Sequence, residues 1–479
     1  MKRAGTNTAF LKVYDTLSRE VSQVSASNGE YVRIYCCGPT VYRDAHVGNL
    51  RTFLLADLVQ RTLAFSGIKS RLVQNITDVG HMSEDFEEDK ILAQSKLEKK
   101  DPFSVAREYE ARFHDDCRAL NIQAADLYPR ASECIELMID SIEKLIAAGL
   151  AYQGEDGSIY FDATKFQSYG ALSGNRLDAL KPGHRFEFTE GGAKRFHADW
   201  ALWKAAGNRR EMIWETPWGR GFPGWHIECS AMSLKYLDNK IDLHIGGIDL
   251  RFPHHENERA QSNSLIEDSN SSNGKNSEAV TLWLHGEHLL FEGRKMSKSS
   301  GNVVLVKDVK ERGIDPLAIR FCFMENRYRS QMDLSWNSIQ SAHLTLEKWR
   351  KAYQEWSKDP AETTSRVDQL VSEIAESFND DLDTPRAMIL LRGIERAELS
   401  NGEKRALFES LDQLFGLNLL LPQEQKELTS EMKELLENRA LARNNRDFEA
   451  SDELRDKLGA LGVEVRDTPE GQEWSWKIN

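Results

Sequence analysis

Three groups of residues have the types and spacing to do chemistry. The first is His46-Val47-Gly48-Asn49, which follows a β-prone segment and precedes apolar residues at helical spacing. That puts it at a helix N-terminus, where unpaired amides and the positive dipole end attract phosphate, while Gly48 lets a base or backbone approach closely. Alone, the tetrapeptide also fits an ordinary loop histidine followed by a turn glycine. The second group, Lys295-Met296-Ser297-Lys298-Ser299 with Gly301 close behind, is more specific. Two lysines three apart among small hydroxyl residues make a mobile cationic loop. Such a loop can close on a triphosphate and stabilise charge as it moves onto departing pyrophosphate.

The third group is dispersed. Cys37, Cys229, His254 and Glu258 offer two thiolates, an imidazole and a carboxylate, ligand types that suit Zn2+. His254 and Glu258 are four apart and would share one helix face, a spacing that surface hydrogen-bonded pairs also have. No single spacing proves a metal site. What favours one is that all four residues come from segments assigned to the same split domain.

The early HxGN and late KMSKS segments resemble the two signatures of class I aminoacyl-tRNA synthetases. In that family the first signature usually ends in a second His; here Asn49 replaces it and keeps a hydrogen-bonding side chain. CCGPTVYRDAHVGN, GWHIECSAMS, FPHHENE and the closing GVEVRDTPEGQEW resemble, over nearly the full chain, the cysteinyl-tRNA synthetase family. The resemblance implies one catalytic-site Zn2+ per chain on Cys37, Cys229, His254 and Glu258. Cys36 is not carried over, because the family's ligand is the Cys immediately before the Gly. It also implies ATP contacts from His46, Gly48, Asn49, Gly247, Asp249 and Lys298, an amino acid framed by Thr77 and Trp225, and catalytic roles for His46, Asn49, Lys295 and Lys298.

The implied reaction is attack of the L-cysteine carboxylate on the α-phosphate of ATP, carried with Mg2+, followed by transfer of cysteine to the terminal adenosine of tRNA(Cys). A metal held by soft ligands accepts a substrate thiolate far better than a harder, less acidic serine hydroxyl. A site built on one strong partner-specific interaction rejects the analogue lacking it without editing, so no editing domain is expected.

These groups need elements to hold them. Tyr31 to Cys37 predicts a strand broken by Gly38-Pro39. Asn49 to Phe65 predicts a helix stopped by Gly67, and Arg71 to Gln74 the next strand, a βαβ unit of the doubly wound kind. Single helices are expected from Asp89 to Leu120, from Ala131 to Ala148 and from Leu435 to Leu458. The fold class is α/β: a Rossmann-like catalytic domain in two halves, residues 1–124 and 206–302, split by a connective insertion at 125–205. A stem-contact region at 303–365, a helical bundle at 366–428 and a small anticodon-binding module at 429–479 follow. The Ser/Asn-rich run at 263–278 is expected to be a loop with no inferred role.

Composition narrows the class. With 479 residues, 40% of them hydrophobic, the chain can bury a large core in several domains, and no apolar run is long enough for a membrane span. The amino end lacks the features of a secretory signal, and six scattered cysteines do not make a disulfide scaffold, so a cytoplasmic, monomeric enzyme is expected. A net charge of -14 disfavours general coating of nucleic acid. Local contacts with RNA remain open to Arg439, Arg443, Arg446 and Arg455, or these form a solvated helix face balanced by acids. Trp474 and Trp476 either stack on unpaired bases or pack on the last helix. Two rivals share parts of the pattern. A ligase joining cysteine to an amino-sugar thiol precursor would lack the C-terminal module, and a noncatalytic RNA-binding relative would have no need of the lysine loop.

Overall fold

Strand β3 (Val32–Cys36) is buried at all five positions, as a central strand of a parallel sheet must be. Ahead of it, β1 (Lys12–Asp15) and β2 (Glu20–Gln23) form an antiparallel hairpin. The computed structural model describes residues 10–79, 89–179, 193–266, 278–296, 302–422, 428–468 and 471–476. After β3 the chain enters helix α1 (Val47–Phe65), turns at Gly67 with φ of 74°, and returns as β4 (Ser70–Gln74). β4 runs parallel to β3 with Cys36 opposite Gln74, so the expected βαβ unit is present.

The stretch from Asp89 to Leu120 is two helices, not one: α2 (Lys90–Glu98) and α3 (Pro102–Ala119). Lys99 takes a left-handed conformation at φ 55, and Pro102, which has no N–H to donate to a continuing helix, opens the next one behind its cap Asp101. A 3-10 turn at Ala131–Glu133 precedes α4 (Ile135–Ala147). The antiparallel strands β5 (Ala151–Gln153), β6 (Ile159–Phe161), β7 (Trp200–Ala205) and β8 (Gly221–Pro223) then pair in that order. β8 lies beyond residue 205, so this sheet extends past the boundary that the composition suggested. The run from 180 to 192 lies outside the described residues.

Helix α5 (Trp225–Tyr236), strand β9 (Ile241–Gly247), helix α6 (Glu256–Leu265) and strand β10 (Val280–Gly286) return the chain to the parallel sheet, whose order is β10-β9-β3-β4. From β3 the chain steps to β4 on one side and later to β9 on the other. The crevice at the carboxyl ends of β3 and β9 is thus a topological switch point, where open α/β sheets bind ligands. Cys37 follows the end of β3, and Gly247 ends β9.

Strands β11 (Leu289–Phe291) and β12 (Arg294–Lys295) form a second small sheet with β13 (Met332–Leu334), bracketing α7 (Val306–Glu311) and α8 (Leu317–Met324). The bundle follows as α9 (Trp336–Trp356), α10 (Ser365–Asn379), α11 (Thr384–Arg396) and α12 (Asn401–Phe415). Buried arginines fasten it to α1. Arg320 on α8 lies 2.6 Å from Asp57 of α1 and donates to the carbonyl of Phe415 at 2.7 Å, while Arg61 of α1 donates to the carbonyl of Gln413 at 2.8 Å.

The last module pairs α13 (Ser430–Asn444) with α14 (Phe448–Ala460), then a hairpin of β14 (Val463–Thr468) and β15 (Gly471–Trp476). The single helix expected from Leu435 to Leu458 is broken where Arg446 adopts a left-handed φ of 60 and Asp447 caps the next helix. Among the described residues no helix is long and apolar enough to cross a membrane.

Candidate active site

The N-terminus of α1 is closed by a reciprocal cap. His46 Nδ1 accepts the backbone N–H of Asn49 at 3.2 Å, and Asn49 Oδ1 accepts the backbone N–H of His46 at 3.3 Å. Asn49 therefore contributes a structural half of the motif as well as an exposed side chain. Burial, reinforced by Arg43 and opposed by Asp249, lowers the His46 pKa to about 4. A side chain at Gly48 would put its Cβ 2.9 Å from Met296 Cε and 3.0 Å from His46 Nδ1, which accounts for glycine there. Gly48 and Asn49 line a cleft of about 750 Å³ together with Gly247, Asp249 and Lys295. At Gly247 a Cβ would come within 2.5 Å of Asp249 Oδ1. Lys295 is exposed at the end of β12; Lys298 and the rest of its loop, 297–301, lie outside the described residues.

Three members of the dispersed ligand set, Cys37, Cys229 and His254, line the same cleft. Cys37, Cys229, His254 and Glu258 are all buried, and one ligand atom from each falls within 4.8 Å of the others. His254 Nε2 is 2.8 Å from Glu258 Oε1, and Cys37 Sγ is 3.5 Å from the same oxygen. The helical-face expectation for the last two holds in proximity but not in form. His254 lies in a wide turn at Arg251–His255, and α6 starts at Glu256.

The chemistry of the set fits zinc. Its two thiolates and carboxylate would be three anions out of contact with water, an arrangement that a divalent cation offsets. In the metal-free arrangement burial, then the adjacent Cys229 thiol, pushes the Cys37 thiol well up, and burial pushes up the Glu258 carboxyl. Glu258 Oε2 is buried without a hydrogen-bond partner. His254 Nδ1 meets His226 Nδ1 at 2.8 Å, which leaves Nε2 for a metal, the usual division of labour for a ligating histidine.

Sequence reasoning missed a second ring of side chains. His244 on β9 and His255 each bring Nε2 to 3.4 Å from Cys37 Sγ and form, with Cys37 and Glu258, an overlapping candidate set. His255 Nδ1 meets His285 Nε2 at 2.8 Å, and His285 Nδ1 meets Thr16 Oγ1 at 2.8 Å. With Cys229 supplying a second thiol to the first set, the two imidazoles stand where N–H donors steady a ligating thiolate. A histidine inside a buried strand is a signal the sequence does carry, but only the β3–β9 pairing shows that His244 lies opposite Tyr35, beside Cys37.

The two residues expected to frame an amino acid also line the cleft. The Trp225 ring stacks on His254 at 3.9 Å, and Thr77 Oγ1 donates to Glu228 Oε2 at 3.2 Å. In the last module the arginine cluster is a correction. Arg439 is buried and makes bonds of 3.0 Å to both carboxylate oxygens of Asp467, which also pairs with Arg443 and Arg455. One partly exposed carboxylate, Asp467, takes three of the four cations, because the β14–β15 hairpin folds back on α13 and α14. Arg446 is exposed, Trp474 is 43% exposed, and the Trp476 side chain lies outside the described residues.

Comparison with known proteins agrees with this geometry. Residues 23–344 match the family model described as the class I (C) tRNA synthetase catalytic domain, and residues 425–474 match the cysteinyl-tRNA ligase anticodon binding domain. A cysteine–tRNA ligase of Thermus thermophilus is 40% identical over 490 residues, covering 97% of this chain and 99% of that protein. One of Thermococcus onnurineus is 37% identical over 491 residues, covering 97% and 98%. A solved Mycobacterium tuberculosis methionyl-tRNA synthetase in complex with methionyl-adenylate shares the fold, with a TM-score of 0.55 at 15% identity over 88% of this chain and 96% of that one.

Proposed function

This chain belongs to the cysteine–tRNA ligase family, and from that premise we propose how its residues divide the reaction. It is an ATP-dependent ligase that attaches cysteine to tRNA. The observation that carries the proposal is the convergence of Cys37, Cys229, His254 and Glu258, the first three of which line one cleft with the capped N-terminus of α1.

Cys37, Cys229, His254 and Glu258 hold one Zn2+. When bound, zinc supplies a soft Lewis acid that takes a thiolate donor in preference to a hydroxyl. Trp225 covers the amino acid, and Thr77 contacts it from the end of β4. Gly48, Asn49, Gly247 and Asp249 bed the nucleotide, with Mg2+ arriving on ATP. His46, Lys295 and Lys298 stabilise charge on the phosphates as the cysteine carboxylate attacks the α-phosphorus and the bond to pyrophosphate breaks. Each acts by electrostatics and positioning, with no covalent enzyme intermediate.

The C-terminal module gives the tRNA reading its support over transfer to a small amino-sugar acceptor, since residues 425–474 match an anticodon binding domain. We place the enzyme in the cytoplasm as a monomer. The test is ATP–pyrophosphate exchange with zinc-replete, reduced protein. Exchange that requires cysteine, together with charging of tRNA(Cys), is the expected result. No cysteine-dependent exchange contradicts the enzymatic assignment, and exchange without charging contradicts the acceptor.

A further inference from the structure

Asn75 has no role in the assignments above, yet it sits between the ligand set and Thr77. It follows β4, is 1% exposed, and has a side-chain amide surrounded by groups of fixed hydrogen-bonding character. Its Oδ1 accepts the backbone N–H of Gly38 at 2.9 Å and the Tyr35 hydroxyl at 3.1 Å. A backbone N–H can only donate, so Gly38 fixes which end of the amide is oxygen. The Nδ2 end must then face Thr77, and it donates to Thr77 Oγ1 at 3.0 Å. Cys229 Sγ lies 3.8 Å from the same Oδ1.

We propose that Asn75 is a positioning residue for both halves of the amino-acid site: it holds the Gly38 peptide behind Cys37 and aims the Thr77 hydroxyl. The inference rests on the reading of Thr77 as an amino-acid contact. Thr77 Oγ1 accepts from Asn75 and gives its hydrogen to Glu228, so the one lone pair left is an acceptor. An acceptor of that kind suits the α-ammonium of a bound amino acid. On the other side, Gly38 packs directly against the Asn75 backbone, with no space for a side chain between them. A Cβ on Gly38 would lie 1.5 Å from the Asn75 carbonyl oxygen, and Thr77 N donates to the Pro39 carbonyl at 3.1 Å. The turn that presents Cys37 is thereby stitched, by side chain and backbone, to the turn that presents Thr77.

Asparagine is the residue this arrangement needs, because it accepts at one end and donates at the other. Aspartate keeps the acceptor for Gly38 and Tyr35 but only accepts at Thr77. Its hydroxyl would turn its hydrogen toward residue 75 and away from Glu228. Alanine loses both ends.

The experiment uses the full-length enzyme with Asn75→Asp, Asn75→Ala, Thr77→Val and the double variant Asn75→Asp/Thr77→Val. In pyrophosphate exchange, Asn75→Asp raises the KM for cysteine by about tenfold or more, the scale of one hydrogen bond to a charged group, while the KM for ATP stays within about twofold. In the Thr77→Val background the same change adds little, since the hydroxyl it acts through is gone. Zinc retention is read without substrate, by competition with a chelator. Asn75→Asp keeps the metal as the parent does, and Asn75→Ala releases it faster because Gly38 is unanchored. Equal cysteine KM effects of Asn75→Asp in both backgrounds overturn the Thr77 half. Equal zinc release from the alanine variant and the parent overturns the Gly38 half. A normal cysteine KM in Thr77→Val alone contradicts the assignment of Thr77 rather than the Gly38 anchor, which the chelator arm tests separately.

Discussion

His46 and Asn49 bond to each other twice across the first turn of α1, at 3.2 Å and 3.3 Å. Because Nδ1 of His46 is occupied by a backbone N–H, a neutral ring carries its proton on Nε2 and is a hydrogen-bond donor. The cap therefore leaves His46 Nε2 as a donor in the neutral ring.

The first prediction concerns pH. His46 has a folded pKa of about 4, held down by burial and Arg43 against Asp249, while a free histidine lies near 6.5. Between those values the unfolded chain binds the proton and the folded chain does not, so stability rises with pH and is lost as pH falls from about 6.5 toward 4. His285, lowered to about 3 by burial, has the same sign. Melting temperature measured across this window should fall less steeply with acid in His46→Asn, which retains a capping side chain, than in the parent. Parallel profiles would remove His46 from the explanation.

Cys229→Ser replaces a soft ligand with a hard one in a buried set. Zinc per chain and cysteine-dependent exchange should fall together. Unchanged zinc stoichiometry would exclude Cys229 as a ligand.

Asp57 and Arg320 are both fully buried at the seam between α1 and the bundle. Arg320→Met leaves the carboxylate with Arg61 and the Gln123 backbone N–H and frees the carbonyl of Phe415. Stability measured by chemical denaturation should drop by about 3 kcal/mol, the scale of breaking a buried pair. A loss under about 1 kcal/mol would mean that water or rearrangement replaces the contact.

Lys298→Ala should slow adenylate formation by roughly a hundredfold while tRNA affinity changes little, as for removal of one group aimed at transition-state charge. Equal losses in both measurements contradict that role.

In the last module, Arg446→Ala should weaken tRNA binding and reduce its salt dependence, because Arg446 is exposed where Arg439 is buried on Asp467. Arg439→Ala should instead lower the melting temperature of the module. If Arg439→Ala alters only the salt dependence, the Asp467 pairing is not its main role.

The candidate set of Cys37, Cys229, His254 and Glu258 came from the family resemblance of three separate segments, since no single spacing carries it, and the structure brings the four side chains together. The βαβ unit was legible through Gly38-Pro39 and Gly67. The helix breaks at Lys99 and Arg446 were passed over although Asp101-Pro102 and Asn444-Asn445 with the cap Asp447 mark them, because helical spacing was followed and not these local signals. Asn75, His244 and His255 escaped because their meaning depends on pairing between strands far apart in sequence. The arginine cluster misled for a related reason: four cations near the C-terminus look available until β14 brings Asp467 back to three of them.

On the proposed reading, Cys37, Cys229, His254 and Glu258 hold a zinc that selects the substrate by its thiol. Zinc X-ray absorption on the reduced full-length enzyme, recorded with and without L-cysteine, tests it most directly. The expected result is two sulfur neighbours in the free enzyme and a third on adding cysteine, with no change on adding serine. A sulfur count unaffected by cysteine would contradict it.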